Sequence, residues 1–138
     1  MLKKKGNQNP TKMEKISEEQ EKAMKIQVLG RQAQEMERQL GEIDKRIDEL
    51  NIIQESLEEL KGNKDAEMLV PFGSGVLLKA KLVDDQNVLV NIGSDVITKK
   101  TITQANKTLK EQVESIDQVR KKLEKDLAAL KQEISKQL

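Results

Sequence analysis

The sequence predicts an α+β chain in which two long helices, paired as an antiparallel coiled coil, flank two β-hairpins. Three observations carry this. One aromatic residue, Phe72, in 138 leaves too little bulk for an ordinary globular core. Apolar residues step by alternating threes and fours over two long stretches. Between these stretches the period falls to two, with Gly and Asp as punctuation.

Residues 1–12 hold Lys3, Lys4, Lys5, Gly6, Asn7, Asn9 and Pro10, and read as a disordered, solvated basic tail. A single domain then covers 13–138. Thr11-x-x-Glu14 and Ser17-x-x-Gln20 are both capping boxes, so the first helix starts at one of them. Its seam is Ile26, Leu29, Ala33, Met36, Leu40, Ile43, Ile47, Leu50 and Leu57, with polar Gln54 in the series. Two seam positions in seven is the width of a coiled-coil stripe, narrower than a globular helix face. Lys61-Gly62 closes the helix, because Gly takes the left-handed position without penalty. A helix over 13–61 is roughly 70 Å long.

Residues 67–101 contain four β-branched runs, separated by Gly73-Ser74-Gly75, Asp84-Asp85-Gln86 and Gly93-Ser94-Asp95. They read as two β-hairpins. Val88, Val90 and Ile92 share one face of their strand, yet Leu77, Val83, Leu89 and Ile97 fall on opposite faces, so neither side of the sheet is cleanly polar. The second helix spans 102–138, opened by the capping box Thr101-x-x-Gln104. Its expected seam is Ile102, Ala105, Leu109, Gln112, Ile116, Val119 and Leu123, followed after an extra four-residue step by Leu127, Leu130, Ile134 and Leu138. Such a step is a stutter that locally unwinds the supercoil.

Composition removes several chemistries. Without His or Cys there is no imidazole base, thiolate nucleophile or disulfide, and no ordinary zinc, haem or iron–sulfur site. No cofactor is expected, and an enzyme is not. A net charge of +1 argues against nucleic acid as the main partner. No apolar run approaches the roughly 20 residues that span a bilayer, and no apolar segment follows the basic start as in a signal peptide. The expected setting is cytoplasmic.

Local motifs have plain readings. Gly73-Ser74-Gly75 lacks the later Gly-Lys-Ser/Thr of a phosphate loop and is a turn. Asp84-Asp85, lying between strand patterns, is a turn before it is a metal or acid–base pair. Lys79, Lys81, Lys99 and Lys100 keep strand edges soluble. Asn106-Lys107-Thr108 is a glycosylation sequon in letters only.

Two narrow seams flanking one β unit pair most simply with each other. Two isolated hairpins with apolar residues on both faces are marginal in water and have open edges. The β unit should therefore pair with β units of other chains. The residues that would do so are Leu69, Val70, Phe72, Leu77, Leu78, Val88, Leu89, Val90, Ile92 and Ile97.

The run Met68-Leu69-Val70-Pro71-Phe72-Gly73-Ser74-Gly75-Val76, joined to Val88-Leu89-Val90-Asn91-Ile92-Gly93, resembles the α class of prefoldin subunits. The resemblance covers roughly residues 20–138. It implies a hexamer with β-class subunits, built on a β-barrel platform with six projecting coiled coils. It also implies ATP-independent capture of unfolded client proteins at the coiled-coil tips and their delivery to a group II chaperonin. The expected tip residues are Met13, Ile16, Met24, Ile26, Leu130, Ile134 and Leu138. The alternative function is a structural coiled-coil adaptor that recruits one folded partner.

Overall fold

The computed structural model runs α1 (Leu2–Leu60), β1 (Glu67–Gly73), β2 (Val76–Lys81), β3 (Asn87–Asn91), β4 (Ile97–Thr101) and α2 (Ile102–Gln137). The described residues, side chains included, are 17–138. The expected tail over 1–12 and the expected tip residues Met13 and Ile16 lie outside them. The chain divides into two compact units, one of residues 1–43 with 119–138 and the other of residues 44–118.

In the unit of residues 44–118, α1 ends at Leu60 and Gly62 takes φ 78°, the left-handed closure its sequence called for. The Gly62 N–H then donates to Asp85 Oδ2 at 3.1 Å, tying the helix end to the segment between the hairpins. β1 and β2 pair antiparallel, with Val70 opposite Leu78 and Gly73 opposite Val76; the register shifts between Pro71 and Gly73, so Phe72 bulges out. Ser74 and Gly75 carry φ of 50° and 81°, the paired positive values of a tight hairpin turn. β3 and β4 form a separate antiparallel sheet in which Val88 faces Lys100 and Val90 faces Thr98.

Asp84 organises the link between the hairpins. Its Oδ1 accepts from the backbone N–H groups of Gln86 at 2.8 Å and Asn87 at 3.0 Å. The Gln86 amide first, then the Asn87 side chain and amide, hold the Asp84 carboxyl below its usual range. The expected cap of α2 is present in both directions. Gln104 N–H donates to Thr101 Oγ1, and Thr101 N–H donates to Gln104 Oε1, each at 3.1 Å.

Burial along α1 follows the expected seam from Ile26 to Leu57, with Gln54 half-buried in its place. The α2 seam departs from expectation. Val113 is half-buried where Gln112 was expected, and Arg120 is half-buried where Val119 was expected; Val119 is 59% exposed. The observed stripe is Leu109, Val113, Ile116, Arg120, Leu123, Leu127, Leu130, Ile134 and Gln137. Threes and fours alternate without interruption, so there is no stutter. The physical reason is that an Arg stem packs as apolar surface while its charged head reaches outward. Arg120 does this, its guanidinium lying 3.4 Å from Glu124.

Cross-helix polar contacts set the antiparallel sense in each unit. In residues 44–118, Asn106 Nδ2 donates to Gln54 O at 3.3 Å and Glu58 Oε1 at 2.8 Å, and Lys61 Nζ donates to Thr103 Oγ1 at 3.2 Å. Lys61 and then Asn106 hold the Glu58 carboxyl below its usual range. The most deeply buried side chains here are Leu50 and Ile102, each 1% exposed. In the other unit, Lys25 pairs with Glu133 at 3.8 Å and Lys131 with Glu37 at 3.1 Å, around buried Ala33 and Leu127. These exposed ion pairs specify register more than they stabilise.

Candidate assembly and capture surfaces

Strand alternation in a sheet that nothing covers leaves both faces open, and the first hairpin shows this. Leu69, Val70, Phe72, Leu77 and Leu78 are all exposed, Phe72 to 75%. Val76 adds to the patch. Only Met68 and Ala80, opposite each other in the register, are half-buried on these two strands.

The second hairpin is two-sided. Val88 and Val90 are half-buried and line, with Ile53, Leu57, Ala105 and Leu109, a groove of about 340 Å³. Leu89 and Ile97 take the other face and are 73% and 63% exposed. Ile92, with Val96 beyond it, is exposed at the turn, where Ile92 N–H donates to Val96 O at 2.9 Å. Thus, of the second hairpin's expected assembly residues, Val88 and Val90 face a groove shared with the helices, whereas Leu89, Ile92 and Ile97 face away.

In the unit of residues 1–43 with 119–138, the expected tip residues separate by packing. Ile26, Leu130 and Ile134 are half-buried on the seam, whereas Met24 is 66% and Leu138 85% exposed. Val28, off the seam and 53% exposed, joins Met24 on α1. Sequence reading passed over Val28, and over exposed Ile52 and Ile53 on the same helix. Their signal was an apolar residue out of the three–four series, easily discounted when the series itself is strong.

Among the described residues no helix is long and apolar enough to cross a membrane. Contiguous exposed apolar surface of this extent on a chain with so little core marks a protein–protein surface. Two pairing helices joined through two hairpins, each with an exposed apolar face, therefore define a coiled-coil subunit of an oligomer.

Comparison with known proteins identifies which kind. The family profile described as Prefoldin subunit matches residues 29–137, and the chain belongs to the prefoldin family of chaperone subunits. It is 31% identical over 134 residues to prefoldin subunit alpha 1 of Methanocaldococcus jannaschii, covering 91% of this chain and 92% of that one. It is 32% identical over 129 residues to prefoldin subunit alpha of Pyrococcus horikoshii, covering 92% and 83% respectively. The same fold is seen in the filamentous prefoldin of Methanocaldococcus jannaschii determined by cryo-electron microscopy. The TM-score is 0.71 at 22% identity, covering 80% of this chain and 93% of that one.

Proposed function

We propose that the chain is the α-class subunit of a hetero-hexamer with β-class subunits, an ATP-independent holdase of the cytoplasm. Its hairpins join those of the other subunits in a β-barrel platform. Its coiled coil is one of several arms that hold unfolded chains at their tips and pass them to a group II chaperonin.

One observation carries the capture step: in the unit of residues 1–43 with 119–138 the seam is packed, yet Met24, Val28 and Leu138 stay open to solvent. Each such side chain gains only about 1.5–3 kcal/mol on full burial, too little for one arm to hold a client. Several arms acting together raise the effective concentration of contacts, so the weak contacts add and remain reversible. Met suits this use because its flexible thioether adapts to varied apolar surfaces.

The test is suppression of aggregation of an unrelated, chemically denatured protein by the assembled complex. Met24→Gln, Val28→Gln and Leu138→Gln together should leave the complex intact and weaken protection severalfold. Undiminished protection by the triple variant would place capture elsewhere. Failure of the wild-type complex to protect at all would favour the adaptor reading.

A further inference from the structure

In the unit of residues 1–43 with 119–138, the two helices treat charge differently on the faces they turn outward. On α1, Arg38 pairs with both Glu35 and Glu42, so an exposed ladder is neutralised within its own helix. On α2 the seam Leu123, Leu127, Leu130 and Ile134 fixes the opposite face by the helical period. Over residues 121–136 that face carries Lys121, Lys122, Lys125 and Lys136, with Ala, Gln and Ser between them and no carboxylate. All four lysines are exposed. The acidic residues of this stretch, Glu124, Asp126 and Glu133, fall at the edges of the face. Two of them are already engaged, Glu133 with Lys25 across the coil and Glu124 with Arg120. Among the described residues Lys122, Lys125 and Lys136 form no ion pair.

Helix energetics do not account for this segregation. Lys125 has lysines three and four residues before it and alanines three and four residues after it. Like charges at that spacing oppose the helix, and one Glu there would have favoured it. The helix dipole favours a cation in the last turn, which explains Lys136 but not three lysines roughly three turns or more further in. Solubility is served as well by mixed charge, as the outward face of α1 shows.

The face is about 22 Å long and has no large apolar side chain between its lysines. It therefore has little means of reading shape. Its field reaches about 8–10 Å at moderate salt and attracts carboxylates in any conformation. That suits an extended, unfolded chain. Leu138, 85% exposed, follows Lys136 by two residues, so an apolar contact lies at the end of the basic face. Nucleic acid fits less well, because the chain's net charge is +1 and its one aromatic, Phe72, belongs to the other unit, leaving no stacking platform here. We propose, resting on the capture reading above, that this face of α2 selects among unfolded clients. It draws in segments rich in Asp and Glu, which the apolar residues then hold. Aggregation competes with capture, so a faster encounter gives better protection.

The test uses the assembled complex of this chain with its β-class subunits, and no chaperonin. The probes are a reduced, S-alkylated acidic protein that stays unfolded, and the same protein with its carboxylates amidated, each fluorescently labelled. Stopped-flow anisotropy gives the association rates. The acidic probe should associate severalfold faster than the amidated one, an advantage that shrinks as salt rises from about 0.05 to 0.3 M. Lys122→Glu, Lys125→Glu and Lys136→Glu together should slow the acidic probe about threefold or more without slowing the amidated one. The corresponding triple arginine variant should match wild type. Hexamer mass and helical circular dichroism should be unchanged in both variants, since all three positions are exposed. Equal association of the acidic probe with the glutamate variant and with wild type would overturn the charge assignment and leave apolar capture standing. A wild-type complex that binds neither probe would overturn the capture reading itself. Tighter binding of a single-stranded oligothymidine than of the acidic probe would reassign the face to nucleic acid.

Discussion

At the residue scale, single side chains fix the joints between elements. Asp84 accepts two backbone N–H groups, and its carboxyl titrates below the usual range. A carboxyl whose folded pKa lies below its unfolded value of about 3.9 stabilises the fold above that value. The contribution is lost as pH falls through the folded pKa. Asp84→Asn should therefore lower the thermal midpoint at neutral pH, and the gap to wild type should close on acidification; a gap that persists at the lowest pH would show that the carboxylate charge is not what matters. Capping of α2 was legible at this scale, since Thr101 and Gln104 have the side chains and the spacing that the reciprocal bonds need. The bond from Gly62 to Asp85 was not, because it joins residues 23 apart and depends on how the chain turns between them.

At the element scale, the helices show how far periodicity reaches. The α1 seam was legible from Ile26 to Leu57 because every member but Gln54 is apolar; half-buried Leu60 extends it by one step. In α2 two adjacent choices misled. Gln112 or Val113, and Val119 or Arg120, each offer two frames, and preferring Val119 over Arg120 set the wrong one and produced a stutter that the helix does not have. Polar groups on or beside the seam, such as Arg120 and Asn106, fix register at some cost in stability, a trade that apolar pattern matching does not see. The corrected frame makes a contrast between two neighbouring valines. Val113→Asp puts a charge on the seam and should cost about 2 kcal/mol or more, while Val119→Asp on the open face should change stability by less than about 0.5 kcal/mol. Thermal and urea unfolding of the two variants measures this, and equal losses would restore the stuttered frame. The strands were legible by type and position, as were their turns. Which face of the second hairpin meets the helices was not, since Val88, Leu89 and Val90 are alike in chemistry and differ only in what lies over them.

At the scale of the whole molecule, the chain spends its apolar residues on pairing: a narrow seam inside the coiled coil and open faces on the hairpins. The described fold covers five hydrophobic side chains well, Ala33, Leu50, Ile102, Ala105 and Leu127, and leaves hairpin aliphatics such as Leu69, Leu77, Leu89 and Ile97 exposed. A chain built this way completes its core only in an assembly. That is the central claim, and the mass of the native complex tests it most directly. Full-length chain mixed with its β-class subunit should elute at the mass of a hexamer by size-exclusion chromatography with light scattering. With Leu89→Asp and Ile97→Asp, which alter only the face turned away from the helices, the chain should keep its helical circular dichroism and remain outside the complex. Normal hexamer formation by that double variant would contradict the account.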